Sequence, residues 1–303
     1  MHPWLGKSLR TGEARMLDDG RGDRQPARRV RDPAELADIA LRLRRKVIDL
    51  VAPTGQGYVQ QGLGAADLFA VLYFAELRLD PADQDWVSRD RLLLSTAHNT
   101  AIFYATLAER GLVPTDAIAD YCKDGSAFEV NASERVGTVI EATCGSLGQG
   151  LSVGIGMALA ARRRQDGARV YVVLGDGELQ EGQVWEAALL AGSLGLDNLC
   201  LLIDDNRMQV EGHVDAVVKL EPIAGKFASF GWAQEAVDGH DIPALLAALD
   251  RARTTPGRPS CLVVRTLPGK GVPALEGILA HNLKLPDDVA AMARKALAME
   301  SHP

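Results

Sequence analysis

The stretch VYVVLGDGELQEGQVWEAALLAGSLGLDNLCLLIDDNRMQVEG, residues 170–212, decides the fold of this chain. It contains two apolar runs, at 170–174 and 199–203, with the length and composition of buried strands, and a helical segment around 181–194 lies between them. The same alternation continues elsewhere, with predicted strands at 91–94 and 261–264 and a predicted helix at 242–253. Such alternation predicts an α/β fold, a doubly wound and mostly parallel sheet with helices on both faces.

Polar residues follow the two apolar runs of this stretch. Gly175, Asp176 and Gly177 come directly after the first run, and Asn206 follows the second, thirty positions after Asp176. Ligands of parallel sheets bind beyond the carboxyl ends of the strands. A carboxylate and an amide oxygen suit Mg²⁺, which shares its ligand shell with phosphate oxygens and water, and the glycines let a diphosphate approach the backbone. A Gly-Asp-Gly triplet alone is usually a tight turn, but the paired strand ends favour a phosphate-cofactor site.

The first 31 residues differ in pattern from the rest of the chain. They carry eight basic and four acidic side chains without sustained apolar periodicity, which predicts a flexible arm, with partner binding as the alternative. Asp32, Pro33 and Glu35 form a helix-start pattern. One apolar face follows at Leu36, Ile39, Leu43, Val47 and Leu50. A second buried helix is predicted at 65–77, after a glycine-rich stretch at 55–64. No linker divides residues 32–303, so we predict one domain there.

Composition excludes several classes of function. The 303 residues carry a net charge of -7, which argues against nucleic-acid or membrane-surface binding because those polyanions are captured by excess Lys and Arg. The four cysteines are far apart and lack the spacing of a zinc site or a disulfide framework. No apolar run is long enough for a membrane span, and the N-terminus lacks a secretory pattern. We therefore predict a soluble, cytoplasmic protein.

Five segments of the chain resemble one known family. The longest is GDGELQEGQVWEAALLAGSLGLDNLCLLIDDNRMQVEG at 175–212. The others are AADLFAVLYF at 65–74, RDRLLLSTAH at 89–98, IEATCGSLGQGLSVGIGMALA at 140–160 and PGKGV at 268–272. Together they resemble the transketolase family, and the resemblance covers about residues 33–285.

The resemblance implies that the chain binds thiamine diphosphate and Mg²⁺. The family residues that match Asp176 and Asn206, with the backbone carbonyl at Met208, bind the metal that anchors the cofactor's diphosphate. The loop at 145–148 approaches the cofactor rings. By this resemblance the cofactor-binding residues are His98, Gly145, Leu147, Gly148, Gly175, Asp176, Gly177, Asn206 and His281.

Three residues carry an implied catalytic role by the same resemblance. The residue matching His98 helps hold the cofactor, and the one matching His281 lies near the diphosphate and the substrate entrance. Around His281 the sequence ALEGILAHN departs from the family's aromatic-His-Gly arrangement. Glu181 matches a glutamate that communicates between two cofactor sites across a subunit interface. Glu178, by contrast, is interpreted as an acidic residue in the first turn of a helix, where the macrodipole favours a carboxylate.

Three departures from the family concern substrate recognition. Tyr58 and Asn131 stand where the family has histidines that contact the hydroxyls and carbonyl of the donor sugar, and Thr96-Ala97 replaces a Lys-Gly pair. Tyrosine and asparagine keep hydrogen-bonding capacity but cannot carry an imidazolium charge. We therefore expect a changed small sugar or keto substrate; neutral drift, or a shifted alignment around residues 126–138, would also explain the substitutions.

The family's chemistry requires a part that this sequence does not contain. Transketolases activate the cofactor's aminopyrimidine with a glutamate on a second domain. The resemblance therefore implies the N-terminal subunit of a split, transketolase-like transferase. Such a subunit would be active only with a C-terminal partner subunit that carries the glutamate, in a heterotetramer. The predicted reaction is transfer of a two-carbon ketol or acyl unit, with a non-standard donor in a specialised pathway.

Three other interpretations stay open at this point. The alpha subunit of a 2-oxo acid dehydrogenase also uses a Gly-Asp-Gly and Asn metal site, but GELQEGQVWEA and GSLGQG resemble transketolase more closely. A non-catalytic scaffold subunit would not need Asp176, Asn206 and His98. Deoxyxylulose phosphate synthase fits the motifs less well.

Overall fold

The computed structural model of the chain describes residues 28–278 and 284–299. The strands are β1 (Arg91–Leu94), β2 (Val170–Gly175), β3 (Leu199–Asp205), β4 (Met208–Gln209), β5 (Gly212–His213), β6 (Ala233–Asp238) and β7 (Ser260–Arg265). The α-helices are α1 (Pro33–Val51), α2 (Val59–Gly64), α3 (Ala66–Ala70), α4 (Thr100–Glu109), α5 (Gln149–Arg164), α6 (Gly182–Ser193), α7 (Val214–Val217), α8 (Ile223–Ser229), α9 (Ile242–Thr254) and α10 (Asp287–Met299).

The central sheet is entirely parallel, with the strand order β1-β2-β3-β7-β6. Alternate residues of its strands enter two different apolar cores. Tyr171 and Val173 of β2 pack in the core that contains α1, whereas Val170, Val172 and Leu174 pack in the core with α5 and α6. Because a strand buried on both faces needs no polar alternation, β2 is continuously apolar in sequence. The predicted doubly wound α/β fold is confirmed.

The four predicted strands are all present, and β2, β3 and β7 are slightly longer than predicted. Strand β6 was not predicted from the sequence. This strand lies at the edge of the sheet, and in its sequence AQEAVD only Val237 is buried, so it lacks the apolar run by which the other strands were found. The predicted helices at 181–194 and 242–253 correspond to α6 and α9.

The predicted buried helix at 65–77 is confirmed, because the chain is helical and almost entirely buried from Ala66 to Glu76. Its second half, however, is π-helical, and a further short helix precedes it. Helix α2 lies inside the glycine-rich stretch at 55–64, and α3 continues directly into the π-helical segment Val71–Glu76. Gly64 ends α2, and a Cβ there would lie 2.8 Å from the carbonyl oxygen of Leu267. The glycine therefore permits a close backbone contact with the segment after β7, which periodicity could not indicate.

Helix α1 begins as its sequence predicts. Asp32 Oδ1 accepts a hydrogen bond from the Ala34 N–H at 3.0 Å, and Pro33 occupies the first turn. The side chain of Glu35 pairs with Arg28 instead of completing a capping box. The predicted apolar face is buried against α3 and α4.

The predicted N-terminal arm lies mostly outside the described residues, which begin at residue 28. The Val30 N–H donates to the Phe74 carbonyl at 2.7 Å, and Arg31 pairs with Asp250 at 2.6 Å. No helix in the described ranges combines the length and the apolar character needed to cross a membrane.

Candidate active site

A cavity of about 240 Å³ lies beyond the carboxyl ends of the central strands. Strands β1, β2 and β3 are neighbours in the sheet and run in the same direction, so the segments that follow them meet at one edge. The predicted site residues on the cavity wall are His98, Leu147, Gly175, Asp176, Gly177, Glu181, Asn206 and Met208. The structure therefore brings together residues from four separate sequence segments.

Backbone N–H groups hold the Asp176 carboxylate in this wall. Asp176 follows β2, is 1% exposed, and accepts hydrogen bonds from the Gly177 N–H at 2.9 Å and the Arg207 N–H at 2.8 Å. Asn206 Oδ1 accepts from the Met208 N–H at 2.9 Å. These backbone bonds orient both predicted metal-ligating side chains.

Gly177 permits the two strand ends to meet. A Cβ on Gly177 would lie 2.8 Å from the Cβ of Gln209 and 3.4 Å from the carbonyl oxygen of Met208. A side chain there would push the turn after β2 away from the short strand β4. The glycine therefore places Asp176 next to the Met208 backbone.

Buried negative charge is concentrated behind this wall. Burial raises the pKa of Asp176 to about 8, and the charges of Asp205 and Asp204 contribute to the rise. Burial also raises the pKa of both of those neighbours. Asp204 accepts from Thr266 Oγ1 at 2.5 Å and from Asn99 Nδ2 at 2.9 Å, so its charge is at least partly compensated.

Asp205 is compensated less well. Among the described residues, neither of its buried carboxylate oxygens accepts a hydrogen bond from an N–H group or a hydroxyl. The nearest cationic groups are Arg207 Nη1 at 3.8 Å and Arg265 Nε at 3.9 Å. Unsatisfied buried carboxylates cost free energy unless a cation accompanies them.

The donor set at this edge fits Mg²⁺. Within residues 28–278 and 284–299 no group of three or more His, Cys, Asp or Glu residues could hold a metal. A cation here would depend on the Asp176 carboxylate, the Asn206 amide oxygen and the Met208 carbonyl, together with ligands from outside the protein. Hard oxygen donors, few of them charged and with room for phosphate oxygens, are the kind of site that Mg²⁺ takes.

Histidine and tyrosine form another part of the site. His98 lies in the helical turn Ala97–Asn99 after β1, and its Nδ1 is 3.0 Å from Thr96 Oγ1. Its ring meets the ring of Tyr58 edge-on, with centroids 4.6 Å apart. Burial raises the pKa of Tyr58, so its phenol is neutral at physiological pH. His281, the other predicted histidine, lies outside the described residues.

Of the loop at 145–148, Leu147 lines the cavity, and the two glycines of the loop have left-handed backbone. Gly145 has a φ of 112° and Gly148 a φ of 83°. A Cβ on Gly145 would lie 2.7 Å from Asn131 Nδ2, so the predicted substrate residue Asn131 packs directly on this loop. A Cβ on Gly148 would lie 2.9 Å from the Cβ of Glu181, which is exposed at the start of α6.

Glu178 has a larger structural role than the sequence indicated. It does lie in a first helical turn, as interpreted, but its side chain is buried. The carboxylate accepts hydrogen bonds from Ser95 Oγ, from the Gly148 N–H at 2.8 Å and from the Gly175 N–H at 3.4 Å. No periodicity in the sequence signals these contacts, because their donors come from two other segments and from the end of β2.

Arg207 was also missed. Its backbone has a φ of 63°, and its guanidinium group pairs with Asp215 and, at 2.8 Å, with Glu221. A basic residue between Asn206 and Met208, with acidic residues a few positions further on, is the only sequence signal that could have indicated it.

The chain matches a known protein family and is similar to several members of it. The family described as "Transketolase, thiamine diphosphate binding domain" matches residues 37–303. The chain is 36% identical to the 6-deoxy-6-sulfo-D-fructose transketolase subunit SqwG of Clostridium sp. (strain MSTE9), over 85% of this chain and 94% of that relative. It is 32% identical to one subunit of the apulose-4-phosphate transketolase of Phocaeicola vulgatus, over 78% of this chain and 83% of that relative.

Solved structures give the same result for the fold. The transketolase of Campylobacter jejuni superposes with a TM-score of 0.81 at 28% identity, over 87% of this chain and 43% of that one. The transketolase of Leishmania mexicana superposes with a TM-score of 0.74 at 28% identity, over 87% of this chain and 44% of that one. The present chain therefore spans less than half the length of these solved proteins but most of the length of the relatives named as subunits.

Proposed function

The chain belongs to the transketolase family, and from this premise we propose that it is the cofactor-holding subunit of a split enzyme that transfers a two-carbon ketol unit. The observation that carries the proposal is the meeting of Asp176 with the Asn206–Met208 segment at the carboxyl edge of the sheet, beside the poorly compensated carboxylate of Asp205. Residues 32–303 would act as one thiamine diphosphate-binding domain.

The residues of this chain would bind and orient the cofactor. Asp176, Asn206 and the Met208 carbonyl would hold Mg²⁺, and through it the diphosphate. When bound, thiamine diphosphate supplies a carbanion that attacks a carbonyl and retains the electrons left by cleavage of a carbon–carbon bond. Leu147 would contact the cofactor rings. His98, whose Nδ1 lies 3.0 Å from the Thr96 hydroxyl, would help hold the cofactor.

The partner would be a C-terminal transketolase-like chain. Two observations support this: the chain covers 43% of a single-chain transketolase, and it covers 94% and 83% of two relatives that are named as subunits. The partner would supply the glutamate that activates the aminopyrimidine. By the family resemblance, two copies of each chain would form a heterotetramer, with Glu181 near the contact between cofactor sites.

The donor would be a ketose other than that of the common family members. One relative is named for 6-deoxy-6-sulfo-D-fructose and two for apulose-4-phosphate. In this chain Tyr58 packs on His98, and Asn131 packs on Gly145, at positions where the resemblance expects histidines. A neutral phenol and an amide can donate hydrogen bonds to a sugar hydroxyl but offer no imidazolium to the donor carbonyl.

Calorimetric titration with thiamine diphosphate and Mg²⁺ tests the proposal. We expect tight binding when the chain is mixed with its partner chain, and weak binding by the chain alone. Asp176→Ala should abolish the metal-dependent part of the binding, and Glu186→Gln, which changes an exposed carboxylate of α6, should leave it unchanged. Tight binding and ketol transfer by the chain alone would refute the split-enzyme proposal. A complete complex that binds neither ligand would indicate a scaffold subunit.

A further inference from the structure

The first turn of α5 is capped from outside the helix. Gly148 precedes the helix in a left-handed conformation, and none of the described side chains at the helix start caps it. The first N–H groups of any helix lack partners within the helix. Here the Gly148 N–H donates to Glu178 Oε1 at 2.8 Å, and the Gly150 N–H donates to Ser95 Oγ at 3.1 Å.

The two acceptors are bonded to each other. The Ser95 hydroxyl donates to Glu178 Oε1, and each of the two residues is 3% exposed. Ser95 directly follows β1, and Glu178 lies in the turn after β2, where its second oxygen is 3.4 Å from the Gly175 N–H. One buried pair therefore joins the ends of two strands to the loop at 145–148.

The start of α5 packs closely against Ser95 and against strand β2. A Cβ on Gly150 would lie 2.4 Å from Ser95 Oγ, and a Cβ on Gly154, one turn later, would lie 2.5 Å from Val172 Cγ2. Side chains at either position would lift α5 from the sheet. The contact between the helix start and Ser95 therefore requires glycine at position 150, and Gly154 lets the next turn approach β2.

A carboxylate at position 178 is unexpected in a cavity that would receive a diphosphate, so it requires an explanation. The side chain lines the same cavity as Asp176, where the proposed cofactor would bring a diphosphate. A carboxylate next to a diphosphate is unfavourable by charge alone. A carboxylate that accepts from a hydroxyl and from helix N–H groups is favourable, because charge-assisted bonds at a helix N-terminus are strong.

We propose that Glu178, held by Ser95, is a positioning residue that fixes the 145–148 loop, and with it Leu147, in the conformation that receives the cofactor. The inference rests on the proposed function for the identity of the cofactor but not for the loop contact itself. The loop is then ordered before any ligand binds, so binding does not have to supply the free energy of ordering it.

Amide hydrogen exchange of the cofactor-free full chain tests the loop contact. The variants are Glu178→Gln and Ser95→Ala, with Glu186→Gln as the control of equal charge change at an exposed site. We expect exchange of the segment 145–152 to become about 10-fold faster in both variants, because its amides then open locally. Exchange of β3 at 199–205 should stay unchanged. Unchanged exchange at 145–152, or a uniform increase across the chain, would overturn the proposal.

Binding of thiamine diphosphate to the complex with the partner subunit tests the consequence. We expect the affinity to fall about 10- to 100-fold in either variant, the range seen when residues that orient binding groups are changed. The double variant should lose little more than each single one, because both act through one pair. At saturating cofactor, kcat should stay close to the wild-type value.

The two kinds of failure are distinguishable. Tighter binding by Glu178→Gln would mean that charge repulsion outweighs positioning, and it would overturn the inference while leaving the proposed function intact. A wild-type complex that binds no thiamine diphosphate would refute the proposed function, and the exchange experiment would still decide whether Glu178 holds the loop.

Discussion

Arg207 offers a test of how the backbone at the centre of the site is held. It lies between Asn206 and Met208 with a left-handed φ of 63°. Its N–H donates to Asp176 at 2.8 Å, and its carbonyl accepts from the Val214 N–H at 3.0 Å. Arg207→Gly and Arg207→Ala both remove the guanidinium group. They differ in the cost of the left-handed backbone, which glycine adopts freely and alanine does not.

The structure sets the expected magnitudes. The guanidinium group pairs with Asp215 and Glu221, and its side chain is 37% exposed. Partly exposed pairs contribute about 0.2–1 kcal/mol each, so both variants should lose about 1 kcal/mol of unfolding free energy. The left-handed conformation costs a residue with a Cβ about 1–2 kcal/mol, and glycine avoids this cost. Both variants also lose the attraction between the guanidinium group and the buried Asp205 carboxylate, 3.8 Å away, so the difference between the two variants is the quantity to compare. Arg207→Ala should be about 1–2 kcal/mol less stable than Arg207→Gly.

Urea unfolding of the cofactor-free chain, followed by circular dichroism, measures this difference. A gap of about 1.4 kcal/mol changes the equilibrium constant roughly tenfold and is resolved by the shift in the transition midpoint at constant slope. Arg207→Lys keeps the positive charge and the backbone cost, so it should unfold between the wild type and Arg207→Ala. Equal stability of the glycine and alanine variants would refute the assignment of a strained backbone at this position.

Two further substitutions test a buried ion pair of the core and a close contact at the 145–148 loop. Burial alone would raise the pKa of Asp67, but hydrogen bonds and charge from His240 and Arg44 hold this pKa below its ordinary value of 3.8. The ionised Asp67 therefore stabilises the folded chain above pH 3.8, and this contribution is lost as the pH falls through the folded-state pKa. Asp67→Asn should cost about 3–5 kcal/mol at pH 7 in urea unfolding, and this deficit should shrink only below about pH 4; a deficit that is constant with pH would contradict the assigned ion pair. Gly145→Ala and its control Gly137→Ala both place a side chain at a positive φ, but only the former meets Asn131, at 2.7 Å. Only Gly145→Ala should weaken binding of thiamine diphosphate to the complex, and equal calorimetric affinities would show that the contact with Asn131 is unimportant.

Much of the fold could be predicted because its signals are local. The strands β1, β2, β3 and β7 are buried on both faces and are therefore apolar runs, and Asp32 caps α1 from the adjacent position. Edge strand β6, helix α2 and the π-helical second half of the helix at 66–76 were not predicted. These features depend on contacts with distant segments. Strand β6 is half exposed and lacks an apolar run, and the glycine at position 64 is required by its close approach to the Leu267 backbone.

The site divides in the same way. The sequence by itself determined which residue types end β2 and β3, and parallel strands necessarily bring such ends to one edge, so Asp176 and Asn206 could be paired in advance. Only the tertiary structure decided that Glu178 turns inward to Ser95, 83 positions away, and that the Arg207 backbone orients Asp176. Such bonds carry no period in the sequence, because a hydrogen bond between distant segments requires only one donor and one acceptor that the packed elements happen to bring within reach.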